Sequence, residues 1–221
     1  VGETLTVEMV AVVDCSGDAK AFADLASKAA DVTGRPVILR SGSMEALKLA
    51  ASAVKGTHSV VCAPSPEAAE TLIDCVKEEG HALAVTGADL DAVIGTVARL
   101  RVQGFMDILL CFETHSVAEH LQTNTIVRRA AIRDGFKPLG FPTLHFIDTG
   151  SLMDDTTAAV TEITRYGGIT VLPTFDPAQL ATLLTLRLNI YTDPQKPIQV
   201  EPGVYPIGEP TPQSPVFVTT N

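Results

Sequence analysis

Short apolar runs alternate along the chain with segments whose apolar residues recur at helical spacing. Leu5–Asp14 (LTVEMVAVVD) reads as a strand. Asp18–Thr33 follows as a helix with Phe22, Leu25, Ala26 and Ala29 on one face and Gly34 as its stop. Pro36–Arg40 is a second strand, and Ser43 caps a helix over Met44–Val54. His58–Cys62 is a third strand; Ser65-Pro66-Glu67 opens the next helix, with Pro66 suited to its first turn and Gly80 at its end. The pattern then repeats. His81–Val85 is followed by a helix over Asp89–Gln103 and Gly104. Asp107–Phe112 precedes a long helix from Ser116 to about Asp134. Thr143–Ile147 precedes a helix over Asp154–Tyr166, stopped by Gly167-Gly168. Ile169–Leu172 is a seventh strand, and Asp176-Pro177 opens a helix to about Tyr191.

Seven such strand–helix units are joined by short connections, which requires parallel pairing with right-handed crossovers. Ser214–Asn221 (SPVFVTTN) has the pattern of a buried strand and supplies an eighth. Eight units predict a TIM (β/α)8 barrel, an α/β fold occupying 1–221 as a single domain. An open doubly wound sheet is the competitor, but Asp14-Cys15-Ser16-Gly17 lacks the GxGxxG turn of that class. Residues 192–213 form a proline-rich, extended stretch before the last strand, expected to be an ordered excursion over the barrel.

Composition sharpens the picture. Apolar residues make up 46% of the 221 and charged residues 19%, with no Trp, so the core is built from Val, Ile, Leu and Ala. A net charge of −10 argues against nucleic-acid and anionic-membrane partners. No apolar run approaches bilayer-spanning length and no signal-peptide pattern is present. Cys15, Cys62, Cys75 and Cys111 show neither CxxC nor zinc spacing, which predicts free thiols in a reducing cytoplasm. The first residue is Val, which reads as a trimmed start or an excised domain.

In a barrel, chemistry gathers at the carboxyl ends of the strands. Asp14, Cys15, Arg40, Ser41, Thr86, Glu113, His115, Asp148, Thr174 and Asp176 fall there, giving an acidic mouth with one arginine. Such carboxylates can act as general bases or hold a pterin-like ring. The same residue types also cap helices and satisfy loop amides, and capping is the simpler account. Glu113, His115 and His120 could bind a metal, but the five-residue histidine spacing fits no template, and no metal is expected. His58, His81 and His145 read as packed or capping residues. No strand carries a lysine for Schiff-base chemistry, and there is no GxSxG elbow. Gly167-Gly168 precedes its strand, the wrong end for a phosphate site. Cys15 is the sole plausible nucleophile at the mouth, without a histidine implied beside it.

The C-terminal third carries a family resemblance. Asn189–Gln195 (NIYTDPQ), Val200–Gly203 (VEPG) and Ser214–Asn221 resemble the large (gamma) subunit of the corrinoid iron–sulfur protein of the acetyl-CoA synthase/CO dehydrogenase system. Ile126–Ile132, Leu139–Pro142 and Thr164–Gly167 extend the likeness upstream. The resemblance implies a subunit with a [4Fe–4S] domain, a central barrel and a corrinoid domain, of which this chain matches the barrel alone. It further implies a scaffold within a cytoplasmic methyl carrier of the reductive acetyl-CoA pathway. That carrier passes a methyl group from methyltetrahydrofolate, or its pterin analogue, to acetyl-CoA synthase. The implied cofactors, corrinoid and [4Fe–4S], belong to the full-length family. The implied partners are the small (delta) subunit, a corrinoid-dependent methyltransferase and acetyl-CoA synthase/CO dehydrogenase. Thr219, Thr220 and Asn221 would face the corrinoid domain. The alternatives are a barrel methyltransferase holding the pterin with Asp14, Asp148 and Asp176, and a barrel of unrelated function.

Overall fold

Each strand is a short β-branched or aliphatic run, and each following helix starts at a residue able to cap it. The structure is a computed structural model that describes residues 6–165, 167–190 (backbone only at 189 and 190), 203–206, 208–216 and 218. β1 (Val10–Val13), β2 (Val37–Arg40), β3 (Val60–Cys62), β4 (Ala82–Val85), β5 (Ile108–Thr114), β6 (Thr143–Ile147) and β7 (Ile169–Val171) pair in chain order, every pair parallel. The helices are α1 (Ala19–Thr33), α2 (Met44–Ala53), α3 (Pro66–Glu79), α4 (Leu90–Val102), α5 (Val117–Ile132), α6 (Leu152–Thr164) and α7 (Pro177–Ile190).

Caps fix where the helices begin. Asp18, Ser43, Ser65, Asp89 and Ser116 each accept a backbone N–H of the first turn, a contact worth about 1 kcal/mol apiece. Gly34 and Gly80 end α1 and α3 with φ of 61° and 77°, a left-handed conformation that only glycine adopts without strain.

Strand alternation then divides the apolar residues into two layers. Ile38, Val60, Cys62, Ala84, Leu109, Cys111 and Leu144, joined by Ala11, Ile169 and Val171, form one interior cluster drawn from all seven strands. Their neighbours Val37, Leu39, Val61, Leu83 and Leu110 point outward and pack under the small and aliphatic faces of the helices. The fold is thus a nearly closed TIM-type α/β barrel of seven strands and seven helices among the described residues. Among those residues, no helix is long and apolar enough to cross a membrane.

Four expectations are corrected. The first strand starts at Val10, well after Leu5, and α6 starts at Leu152, before Asp154. Leu25 is 53% exposed and lies off the buried face of α1, which is carried by Phe22, Ala23, Ala26 and Ala30. No eighth strand is seen among the described residues. Ser214 donates its N–H to the Thr211 carbonyl and its Oγ accepts from Thr211 N, a turn at the head of this segment. Pro215 follows it without a backbone donor for a strand ladder, and Val216 and Val218 are exposed. Most of 192–213, and Phe217 with Thr219, Thr220 and Asn221, lie outside the described residues. A cleft of about 790 Å³ runs between β1 and β7, lined by Met9 and Ala11 on one side and Ile169 and Val171 on the other.

Candidate functional site

The parity that sends Ile38, Cys111 and Leu144 inward also sends Arg40, Glu113 and Phe146 toward the barrel axis at the carboxyl end. There the Arg40 guanidinium forms an ion pair with Glu113 and lies 4.5 Å from the Phe146 ring centroid. Glu113 Oε2 is also 3.5 Å from His115 Nε2. The side chains of Arg40 and Glu113 are 37% and 50% exposed, so the pair contributes about 1 kcal/mol or less. Stacking on Phe146 adds a cation–π term of similar size. Below them, Cys62 and Cys111 are buried against one another, and the Cys111 contact together with burial pushes the Cys62 thiol well up.

The remaining mouth candidates serve the loops. Asp14 Oδ1 accepts the N–H groups of Ser16 and Gly17 and the Ser16 hydroxyl, while Oδ2 accepts the Ser41 hydroxyl at 2.8 Å. The Ser41 bond, then the Gly17 amide, hold the Asp14 carboxyl below its ordinary value. Asp176 accepts the Gln179 N–H at 2.8 Å as the cap of α7. Thr86 donates to the Ala63 carbonyl. Cys15, Asp148 and Thr174 are exposed. Thr219, Thr220 and Asn221 lie outside the described residues, so their placement toward a corrinoid domain stays an expectation.

A second constellation lies behind the sheet, where α5 and α6 cover β5 and β6. His120 of α5, His145 of β6 and Glu162 of α6 converge there, each 1% exposed. Glu162 Oε2 lies 3.1 Å from His120 Nε2 and 3.6 Å from His145 Nε2. The Nδ1 atoms of both rings lie against Thr114 Oγ1, at 3.0 and 3.3 Å. The Asn124 amide contacts both Glu162 Oε2 and His120 Nε2, and Thr143 donates to Glu162 Oε1 at 2.8 Å. His145 Nε2 is buried and has no hydrogen-bond partner.

Burial dominates at His145, which titrates down at about 4 although the Glu162 charge pulls the other way. Burial also pushes the Glu162 carboxyl up. Hydrogen bonds from His120, Asn124 and Thr143, with the charge interaction at His145, outweigh it and hold the group below its ordinary value. The glycine pair before β7 belongs to this cluster. A Cβ on Gly167 would sit 1.8 Å from Glu162 Oε1, and one on Gly168 would sit 2.3 Å from the Thr143 carbonyl oxygen.

Sequence reasoning placed Glu113, His115 and His120 in one candidate group. The structure separates them, leaving Glu113 and His115 at the exposed mouth and His120 buried behind the sheet. Glu162 was missed because it sits mid-helix with no motif around it. The available signals were His120 and Asn124 at i, i+4 on α5, and Thr143 and His145 on the outward parity of β6.

Comparison with known proteins matches residues 1–221 to the family model described as CO dehydrogenase/acetyl-CoA synthase delta subunit. The acetyl-CoA decarbonylase/synthase complex subunit gamma of Methanocaldococcus jannaschii is 31% identical over all of this chain and 50% of its own length. The corrinoid/iron-sulfur protein large subunit of Moorella thermoacetica is 29% identical over 100% of the chain and 50% of the relative. The chain thus spans about half the length of the curated relatives it matches. Among solved structures, Yersinia pestis DHPS with a pterine-sulfa conjugate superposes with a TM-score of 0.60 over 82% of this chain and 81% of that one. Its 11% identity carries the fold alone.

Proposed function

The chain belongs to the CO dehydrogenase/acetyl-CoA synthase delta subunit family, and from that premise we propose that it is the barrel of a gamma-type subunit in a corrinoid iron–sulfur methyl carrier. In that role it is a scaffold and docking body. The corrinoid and the [4Fe–4S] cluster are carried by other parts of the subunit. The small subunit, a methyltransferase and acetyl-CoA synthase/CO dehydrogenase are its partners. The methyl group comes from methyltetrahydrofolate or its pterin analogue.

The observation that carries this reading is the state of the mouth. Its charged groups Asp14, Arg40, Glu113 and Asp176 are engaged with the protein itself. Asp14 accepts four hydrogen bonds from Ser16, Gly17 and Ser41, and Asp176 caps α7. Arg40 is closed on Glu113 over Phe146. A carboxylate held by several donors and lowered in pKa, as Asp14 is, makes a weak general base. Relatives named as subunits of a complex support a docking role.

The test mixes the chain with the small subunit and measures mass in solution by light scattering, alongside calorimetry with methyltetrahydrofolate. A one-to-one complex and no folate heat are expected. Folate binding by the chain alone, with no complex formed, would move the assignment to a methyltransferase.

A further inference from the structure

We propose that His120, His145, Glu162 and Asn124 form a binding site for a divalent metal ion of the zinc class, a structural clip that ties α5 and α6 to the sheet. Both ring Nε2 atoms point at one carboxylate oxygen, Glu162 Oε2, at 3.1 and 3.6 Å. Tetrahedral zinc with bonds of about 2.0–2.1 Å places its ligand atoms about 3.3 Å apart, so this spacing is that of a coordination edge. The Asn124 amide contacts two of the same three atoms, lying 3.0 Å from His120 Nε2 and against Glu162 Oε2. Its oxygen and nitrogen are distinguishable only through their partners. Turned so that Oδ1 faces the cluster, it supplies a fourth corner.

Without a cation the donors and acceptors do not balance. Thr114 Oγ1 lies against both Nδ1 atoms; it can donate its one hydroxyl proton to His120 and accept Nδ1–H from His145, which leaves His120 Nε2–H to donate to Glu162 Oε2. The Asn124 amide nitrogen then meets a second donor at 3.0 Å, and His145 Nε2 remains a buried acceptor with no partner. With Thr114 accepting Nδ1–H from both rings instead, two Nε2 lone pairs and Glu162 Oε2 face one point. An orphaned acceptor of this kind in a closed site calls for an unseen partner. A dication satisfies all of these acceptors at once and offsets the buried negative charge of Glu162.

The surrounding contacts have the form that ligand-orienting groups take around metal sites. Each histidine is held through its other ring nitrogen by Thr114. The second oxygen of Glu162 accepts from the Thr143 hydroxyl, which in turn accepts the Gly168 N–H at 3.0 Å. The donor set of two imidazoles, one carboxylate and one amide oxygen suits zinc rather than the hard cations, which prefer all-oxygen cages. Glu162 and the Gly167-Gly168 pair also line the cleft between β1 and β7.

The test uses the 221-residue chain, stripped with a chelator and titrated with Zn2+ alone by calorimetry, and with Co2+ alone by visible absorption. The expected result is one ion per chain, the intense visible bands of tetrahedral Co2+, and a melting temperature about 5–11 °C higher at a hundredfold excess over Kd. Glu162→Gln and, should that variant not fold, His145→Asn abolish the tetrahedral spectrum and the melting shift. Cys15→Ser, which removes the exposed thiol, leaves both intact. The proposal is overturned by the absence of saturable binding, by binding that survives both ligand substitutions, or by binding lost with Cys15→Ser.

Discussion

Replacing Gly167 by Ala tests whether Glu162 is held as tightly as its surroundings indicate. The added Cβ would lie 1.8 Å from Glu162 Oε1, 2.0 Å from Cδ and 2.3 Å from Cγ, so the carboxylate must leave its position. Moving it breaks the Thr143 bond and disturbs those to Asn124 and His120, all of them buried. Hydrogen bonds to a charged group contribute about 1.5–3 kcal/mol each, and uncoupling a buried ionic partner costs about 3–5 kcal/mol. Against this stands the gain of about 0.4–1 kcal/mol that Ala brings by restricting the unfolded chain. The net expectation is a loss of about 3–4 kcal/mol, or a fall in Tm of about 6–16 °C for a chain of this size. Chemical denaturation followed by circular dichroism reads the first, and a thermal scan the second. The same change in a Glu162→Ala background should cost less than about 0.5 kcal/mol, since the obstruction is gone. A Gly167→Ala variant within about 0.5 kcal/mol of the parent would refute the reasoning.

Three further outcomes are expected. His145 falls from 6.5 to about 4 on folding, so the unfolded chain binds more protons in that window. Stability present above pH 6.5 is therefore lost as pH falls toward 4, by about 3 kcal/mol, and Glu162 adds to the loss at lower pH. Denaturation profiles with chelator present should show this slope flattened in His145→Gln, and equal slopes would contradict it. For Asp14, whose carboxyl is lowered first by Ser41, the stabilisation is present above the ordinary carboxylate range and lost as pH falls through the folded value. Ser41→Ala should raise the Asp14 midpoint in an NMR titration, and an unmoved midpoint would remove Ser41 as its main cause. Arg40→Gln should lower Tm by no more than about 8 °C, because its ion pair is half exposed and its ring contact adds a similar amount, and a larger fall would show that the mouth carries more of the fold than its geometry indicates.

Much of the barrel was legible because each strand–helix unit repeats the same local signals. Ser43 caps α2 as expected, and Ser65, Asp89 and Ser116, read as the starts of their helices, cap them. Leu25 misled because helical spacing defines a face only to within about one residue, and the neighbouring alanines, small enough to seat α1 closely on the sheet, took the buried side. No strand is seen over the described part of 214–221, because strand propensity in Val216 and Val218 says nothing of the turn that Thr211 and Ser214 build just before them. The mouth residues were legible by position, since strand ends are fixed by the repeat, but the pairing of Arg40 with Glu113 joins residues 73 apart. The buried cluster was the least legible. His120, His145 and Glu162 come from three elements, and only the outward parity of β6 and the packing of α5 against α6 bring them together.

The central claim, that this barrel positions a methyl carrier without performing the transfer, is tested most directly by methyl-transfer rates in the subunit that contains it. With corrinoid bound and the small subunit present, the Arg40→Ala/Glu113→Gln double variant should methylate acetyl-CoA synthase within about twofold of the parent rate. A fall of about 10²-fold or more, the range that loss of an acid–base residue produces, would place chemistry in the mouth and contradict the account.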